Sequence, residues 1–322
     1  MHRGLGAFGC CFLCAENVPR DRSAFLPCSL SLYVKASRIS GPPCTHGEIR
    51  TPMTFLYAPV LERQKARMLG VEAIPAKINF LGVSFHDVTM QETLELIERF
   101  VKDRKPHKMF SVNVACYIES LEDSFMQSFY EKCELLTLDG MGLYFAGKLL
   151  GLPFRETVPT SYLTLELLKI AAAKKYRIYL LGSTPEYLAR AIRHIEERYP
   201  GVDIVGSSHG YFTMEEEPIV VERIAKANPD ILLIGISTPI KEKFVARNSE
   251  LLKVPVQIGV GGTIDVLAGV IHLPPRWVRM AGLEWVNRLR QEPRRFWKRY
   301  LRTNVAFALI LLKRFILPTV KS

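Results

Sequence analysis

Asp139-Gly140 closes a short apolar run, Leu135–Leu138. A carboxylate at the end of a buried strand can take a proton as a general base or hold a sugar hydroxyl. It can equally cap the helix that follows, because Asp is a favoured N-cap. Ser111 and Asn113 end the preceding apolar run and flank Val112, so their side chains share one face. They are either two hydrogen-bonding groups lining the cleft of Asp139 or turn residues satisfying nearby backbone. Two glycine junctions follow, Leu181-Gly182-Ser183-Thr184-Pro185 and Gly259-Val260-Gly261-Gly262-Thr263. Helix N-termini hold phosphate because their free N–H groups face the ligand. Neither junction is the dinucleotide fingerprint or a Walker loop, which argues against a standard NAD enzyme or NTPase. A nucleotide diphosphate held by backbone amides remains open, as do glycines that serve tight turns alone.

Alternating elements must position these groups. Ile78–Phe85 reads as a strand, Val88–Val101 as a helix, Met109–Ala115 as a strand and Tyr117–Tyr130 as a helix. Helices around Met141–Leu150 and Ser161–Lys174 follow the Asp139 strand. The second half repeats the alternation: strands at Arg177–Leu181, Asp203–Gly206, Ile231–Ile236 and Val256–Val260, with helices between them. Near-continuous apolar strands separated by helices imply a parallel sheet covered on both faces. The expected fold is α/β, a Rossmann-like, doubly wound and mainly parallel sheet over residues 71–272. Ligands of such sheets bind beyond the carboxyl ends of the strands. That rule selects Ser111, Asn113, Asp139, Gly182, Ser183, Ser237, Thr238, Gly261, Gly262 and Asp265.

Charge is concentrated at the other end of the chain. Residues 276–322 carry 12 of the Lys and Arg and 2 acids, so they hold +10 of a formal net charge of +11. This stretch attracts anions. Past Pro293 the pattern is helical: Phe296, Tyr300, Asn304, Phe307, Leu311 and Phe315 form one stripe, with Arg295, Arg299 and Arg302 beside it. Residues 273–322 therefore read as a basic amphipathic appendage lying in a membrane interface, or as a surface helix packed on its own domain. Val305–Leu312 is too short to span a bilayer, which takes about 20 residues. No helix-turn-helix, RNA-recognition or zinc-finger pattern accompanies the charge, so nucleic acid is not the expected partner.

Five of the seven Cys (Cys10, Cys11, Cys14, Cys28, Cys44) lie in the first 44 residues. They lack a second Cys/His pair at zinc spacing, so no metal site is expected. Residues 1–70 show no sustained periodicity and read as a disordered extension or an over-long start, with Met53 and Met68 as alternative starts. The remaining two scattered Cys suit a reducing cytoplasm.

Several words in order resemble the WecG/TagA/CpsF glycosyltransferases. They are Ser111-Val112-Asn113, Asp139-Gly140-Met141-Gly142, Tyr199-Pro200-Gly201, His209-Gly210-Tyr211-Phe212, Asn228-Pro229-Asp230, Gly259 through Gly269, and Gly282-Leu283-Glu284-Trp285 with Glu292-Pro293-Arg294-Arg295. The resemblance implies inverting transfer of an N-acetylmannosamine-type sugar, or its uronic acid, from a UDP-sugar donor to polyprenyl-diphosphate-linked N-acetylglucosamine. It implies no metal and no cofactor. It also implies work at the inner face of the cytoplasmic membrane through the tail, self-association, and a product for teichoic acid, capsule or related envelope polymers. By position it assigns Asp139 as base with Ser111 and Asn113 beside it. It assigns Gly182, Ser183, Lys241, Gly261, Gly262 and Asp265 to the UDP-sugar, and Arg288, Arg294, Arg295 and Arg299 to the lipid diphosphate. The chain departs from the family pattern at Thr157, Thr160, Tyr162 and Lys241. Lys241 is expected to supply the cation missing at Thr157, and a non-catalytic, nucleotide-sugar-binding or scaffolding member is the second reading.

Overall fold

A computed structural model describes residues 74–316. The extension expected over residues 1–70 lies outside them. The chain opens on a hairpin, β1 (Lys77–Phe80) and β2 (Val83–His86), then α1 (Met90–Asp103), β3 (His107–Val112), α2 (Val114–Glu122), α3 (Ser124–Glu131) and β4 (Leu135–Leu138). Next come α4 (Met141–Leu149), α5 (Thr160–Lys174), β5 (Arg177–Gly182), α6 (Pro185–Arg198), β6 (Asp203–Ser208), α7 (Glu217–Ala227) and β7 (Ile231–Gly235). The chain continues through α8 (Ile240–Leu252), β8 (Val256–Gly259) and α9 (Thr263–Leu267) into the basic α10 (Arg276–Met280), α11 (Glu284–Gln291) and α12 (Pro293–Ile316).

Among the described residues β3 to β8 form one six-stranded parallel sheet in the order β4-β3-β8-β7-β5-β6. Period-two alternation divides each strand between two cores. Phe110, Leu136, Tyr179, Leu232 and Ile234 face one layer, built from α2, α3, α7 and α8. Met109, Leu135, Ile178, Leu180, Leu233 and Ile258 face the other, built from α1, α5, α6 and α9. The sheet is thus doubly wound, as the strand-helix alternation requires.

Two local readings are corrected. The single strand expected at Ile78–Phe85 is a hairpin. Leu81 and Gly82 both adopt positive φ, +44° and +102°, which turns the chain back on itself as a two-residue hairpin loop requires. The hairpin protects the sheet edge: buried His86 accepts the Leu136 N–H through Nδ1 at 3.0 Å. Burial, with Lys77 nearby, pushes its imidazole down to about 4. The helix expected at Tyr117–Tyr130 breaks at Asp123, whose extended backbone ends α2 and whose carboxylate caps α3 through the Phe125 N–H at 2.9 Å.

The third correction concerns the appendage. Its Phe296, Tyr300, Asn304 and Phe307 stripe turns inward rather than outward. Phe307 is 8% exposed; its ring stacks on Phe80 at 6.2 Å and meets Tyr117 edge-on at 5.9 Å. Arg299 forks onto Glu119 at 2.8 and 2.9 Å, and Thr303 is fully buried beneath it. A second stripe on α12, Trp297, Leu301, Val305, Leu309, Leu312 and Ile316, is exposed. The inward stripe wins because it alone meets aromatic partners on β1 and α2.

Truncating a buried aromatic costs about 3 kcal/mol or more. Phe307→Ala is expected to lower the urea midpoint accordingly and to open the α10–α12 segment to trypsin. An unchanged proteolysis pattern would argue that α12 is held elsewhere.

Candidate active site

A cleft of about 890 Å³ opens beyond the carboxyl ends of β3, β4, β5, β7 and β8, with the appendage as its far wall. Of the residues singled out in the sequence, Ser111, Asn113, Asp139, Ser183, Lys241, Gly261, Gly262, Asp265, Arg288, Arg295 and Arg299 border it. Gly182 and Arg294 do not. Gly182 lies where a Cβ would meet the Gly235 backbone at 2.4 Å, so it serves strand packing. Arg294 is exposed on the outer side of α12.

Asp139 follows the last residue of β4, and its own N–H is tied to the Val112 carbonyl at 2.9 Å. It does not cap α4, whose N-cap is Gly140 without a side-chain bond. Instead its carboxylate accepts from the hydroxyl and N–H of Thr160, the first residue of α5. Pro159, the N-cap there, offers no side-chain bond, so Asp139 satisfies that helix start from across the cleft. Burial and the Glu284 carboxylate together push Asp139 up to about 7, against the opposing Thr160 donors. A carboxyl poised there is suited to proton transfer near neutrality.

The neighbours are tied more tightly than the sequence suggested. Ser111 Oγ pairs with Thr137 Oγ1 at 2.7 Å, and Asn113 caps α2 by accepting the Cys116 N–H at 3.1 Å. Ser183 holds an unusual φ of +59° and donates to Asp265 at 2.5 Å, joining the two glycine junctions. Thr184 caps α6 through the Tyr187 N–H at 3.2 Å. Lys241 is buried, and its ammonium is held by Glu242 at 2.5 Å and by Thr238. Thr157 contacts Met141 at 3.9 Å and does not border the cleft, whereas Thr160 and Tyr162 do.

The appendage brings its cations over the strand ends. Arg288 approaches Gly262 so closely that a Cβ there would stand 2.9 Å from its Nη2. Glu292 bridges Arg288 at 2.7 Å and Arg295 at 3.0 Å, and Phe296 lies against both guanidinium groups. Glu284 starts α11 beside Gly140. Glu284 escaped the sequence reading as a site residue, and Thr160 entered it only as a departure from the family pattern, not as a partner of Asp139. Their signals were there: a helix start after proline, and an acid inside a strongly basic stretch.

The sheet, the carboxylate at its strand ends and the cationic wall define a Rossmann-like α/β protein with a cleft suited to an anionic ligand. The profile of the Glycosyl transferase WecG/TagA/CpsF family matches residues 78–320. The chain belongs to that family and is a glycosyltransferase. It is similar to the N-acetylglucosaminyldiphosphoundecaprenol N-acetyl-beta-D-mannosaminyltransferase of Staphylococcus aureus (strain MW2), 30% identical over 227 residues, covering 70% of this chain and 87% of that protein. The protein of the same name from Staphylococcus aureus (strain NCTC 8325 / PS 47) is 30% identical over 216 residues, covering 66% of this chain and 84% of that protein.

Because folding raises the Asp139 pKa, the folded chain binds the proton more tightly than the unfolded chain. The stability this proton contributes is complete below the unfolded carboxylate value and is lost as pH climbs through about 7. Asp139→Asn is therefore expected to stabilise the fold at about pH 8, by on the order of a few kcal/mol at most and read as a higher Tm, and to leave Tm unchanged near about pH 4. Thermal unfolding across that range checks it.

Proposed function

We propose that this glycosyltransferase moves an N-acetylmannosamine-type sugar from a UDP-sugar to polyprenyl-diphosphate-linked N-acetylglucosamine, with inversion at the anomeric carbon. The acceptor and sugar are those in the relatives' names. The observation that carries the mechanism is Asp139, a carboxyl with a pKa near 7 facing a cleft walled by Arg288, Arg295 and Arg299. In a single displacement the acceptor hydroxyl gives its proton to Asp139 while its oxygen attacks the anomeric carbon. The bond to the diphosphate breaks on the opposite side, and UDP departs with the electron pair.

Charge stabilisation falls to this chain's own groups. Arg288 and Arg295 reach the cleft from the appendage, and Ser183 with Asp265 orders the glycine junctions where the donor is proposed to lie. Arg299 and Lys241 already hold buried-side carboxylates, so their part is to fix walls rather than to grip phosphate first. The exposed α12 stripe, with Lys298 and Arg302 beside it, gives the appendage an amphipathic outer face suited to an anionic bilayer surface. No helix among the described residues is long and apolar enough to cross a membrane. The lipid-linked acceptor would then meet the cleft at its basic rim, and the polymer served is one of the cell envelope.

Asp139→Asn is expected to abolish UDP release from UDP-N-acetylmannosamine with a lipid-diphosphate acceptor, by a factor of about 10² or more. UDP binding, measured by calorimetry, should survive within a few-fold. Near-normal turnover in that variant would falsify the role of Asp139, and a parent chain that binds UDP without turnover would favour a non-catalytic member. Replacing Leu301 and Leu309 with Glu is expected to abolish flotation with phosphatidylglycerol vesicles while leaving turnover of a water-soluble acceptor intact.

A further inference from the structure

Glu284 enters the cleft from α11 just after the Gly282 bend. Its Oε2 is 3.8 Å from where a Cβ on Gly140 would stand, and Gly140 adopts φ +84°, so the corner after Asp139 offers bare backbone to that carboxylate. A glutamate in the first turn of a helix commonly turns back to the free N–H groups of that turn. The start of α11 has no side-chain cap bond, and Glu284 forms no ion pair among the described residues. Arg279, the nearest opposing charge, lies over the Tyr162 ring at 4.3 Å. Asp139 is faced by Glu284 from α11, Thr160 from α5 and Tyr300 from α12; Glu284 is faced by Arg279 from α10 and Tyr162 from α5.

Burial pushes the Glu284 carboxyl above its ordinary value and Arg279 draws it back down. We infer that Glu284 is a positioning residue for transfer: docking of α11 places its carboxylate at the Gly140 corner, next to the Asp139 that takes the hydroxyl proton. This rests on the reading of Asp139 as the base. The acceptor O–H proton passes to Asp139, the oxygen bonds to the anomeric carbon, and the bond to the diphosphate breaks with its electron pair leaving on UDP. Glu284 exchanges no atom. It raises proton affinity through like-charge proximity, and a base whose conjugate acid titrates near the working pH transfers protons most effectively. Because Glu284 travels with the appendage, an undocked appendage leaves a weaker base. Proton transfer is thereby tied to the closed cleft in which Arg288 and Arg295 overlie the strand ends.

The test uses the full chain and compares the parent with Glu284→Gln, Glu284→Asp, Asp139→Asn and the Asp139→Asn, Glu284→Gln double variant. Thermal unfolding is followed across pH; the advantage of Asp139→Asn over its background starts at the unfolded carboxylate value and levels off at the folded one, so the midpoint of that levelling reports Asp139 ionisation in the folded chain whatever sugar is moved. Glu284→Gln is expected to lower that midpoint by roughly one pH unit. Glu284→Asp, which keeps the charge, should hold it near the parent's. With an active donor the acid limb of kcat should move the same way, while the plateau falls several-fold and the donor KM stays put. An unmoved midpoint in Glu284→Gln overturns the inference, as does an equal shift in Glu284→Asp. If no UDP-sugar turns over in the parent, the substrate reading fails while the unfolding comparison still decides this one. Should Glu284→Gln not fold, Glu284→Ala carries the same comparison.

Discussion

Everything at the cleft depends on holding the Asp139 carboxylate partly out of water without a full countercharge. Removing a carboxylate from solvent is costly unless donors or cations replace the lost hydration. Thr160 supplies donors from the start of α5, and among the described residues no cation stands beside it to finish the neutralisation. The result is a group that keeps its proton until neutrality. A lysine or arginine in contact would remove that property by favouring the ionised form. The cleft's arginines sit instead on the appendage wall, Arg288 and Arg295 sharing Glu292 and Arg299 on Glu119, and Lys241 is held by Glu242 on α8, so none of these pairs lies at the end of β4.

This arrangement depends on the packing of α12. Phe307 against Phe80 and Tyr117, with Arg299 forked onto Glu119, fixes the helix on β1 and α2. Its N-terminal turn then carries Phe296, which lies against both Arg288 and Arg295. The N-terminal hairpin thus does more than cover a sheet edge. Phe80 belongs to it, so the first element of the sheet layer helps to anchor the last helix of the chain.

Much of this was legible in the sequence, for reasons that can be located. Apolar runs bounded by Gly, Asp and Ser mark strand ends, and strand ends mark the cleft; Ser111, Asp139 and Gly261 follow from that alone. The hairpin at Leu81-Gly82 was hidden because Leu rarely adopts positive φ, so an unbroken apolar run looked like one strand. The α2–α3 break was hidden because Asp123 interrupts a helical period without changing it. On α12 periodicity showed stripes but not which one faces inward, since both are apolar and only the partners on β1 and α2 decide. Glu284 and Thr160 meet Asp139 through tertiary packing, which no local pattern records.

The paired state of the arginines bears on how the cleft can work. Glu292 holds Arg288 and Arg295 together, and Glu119 holds Arg299, so two carboxylates offset three guanidinium groups and the wall keeps a net positive charge. Unpaired, three neighbouring guanidinium groups would repel one another and weaken the docking of the helices that carry them. A diphosphate entering here must displace Glu292 as partner, and charge-assisted bonds to phosphate are strong enough to compete. The Asp139 corner is different: among the described residues Glu284 forms no ion pair and has Arg279 only as a nearby charge, and Asp139 is met by the Thr160 donors instead of a cation. The cleft therefore separates two tasks by the partners it gives its charges, exchangeable ion pairs where a phosphate would bind and no ion pair where a proton would move.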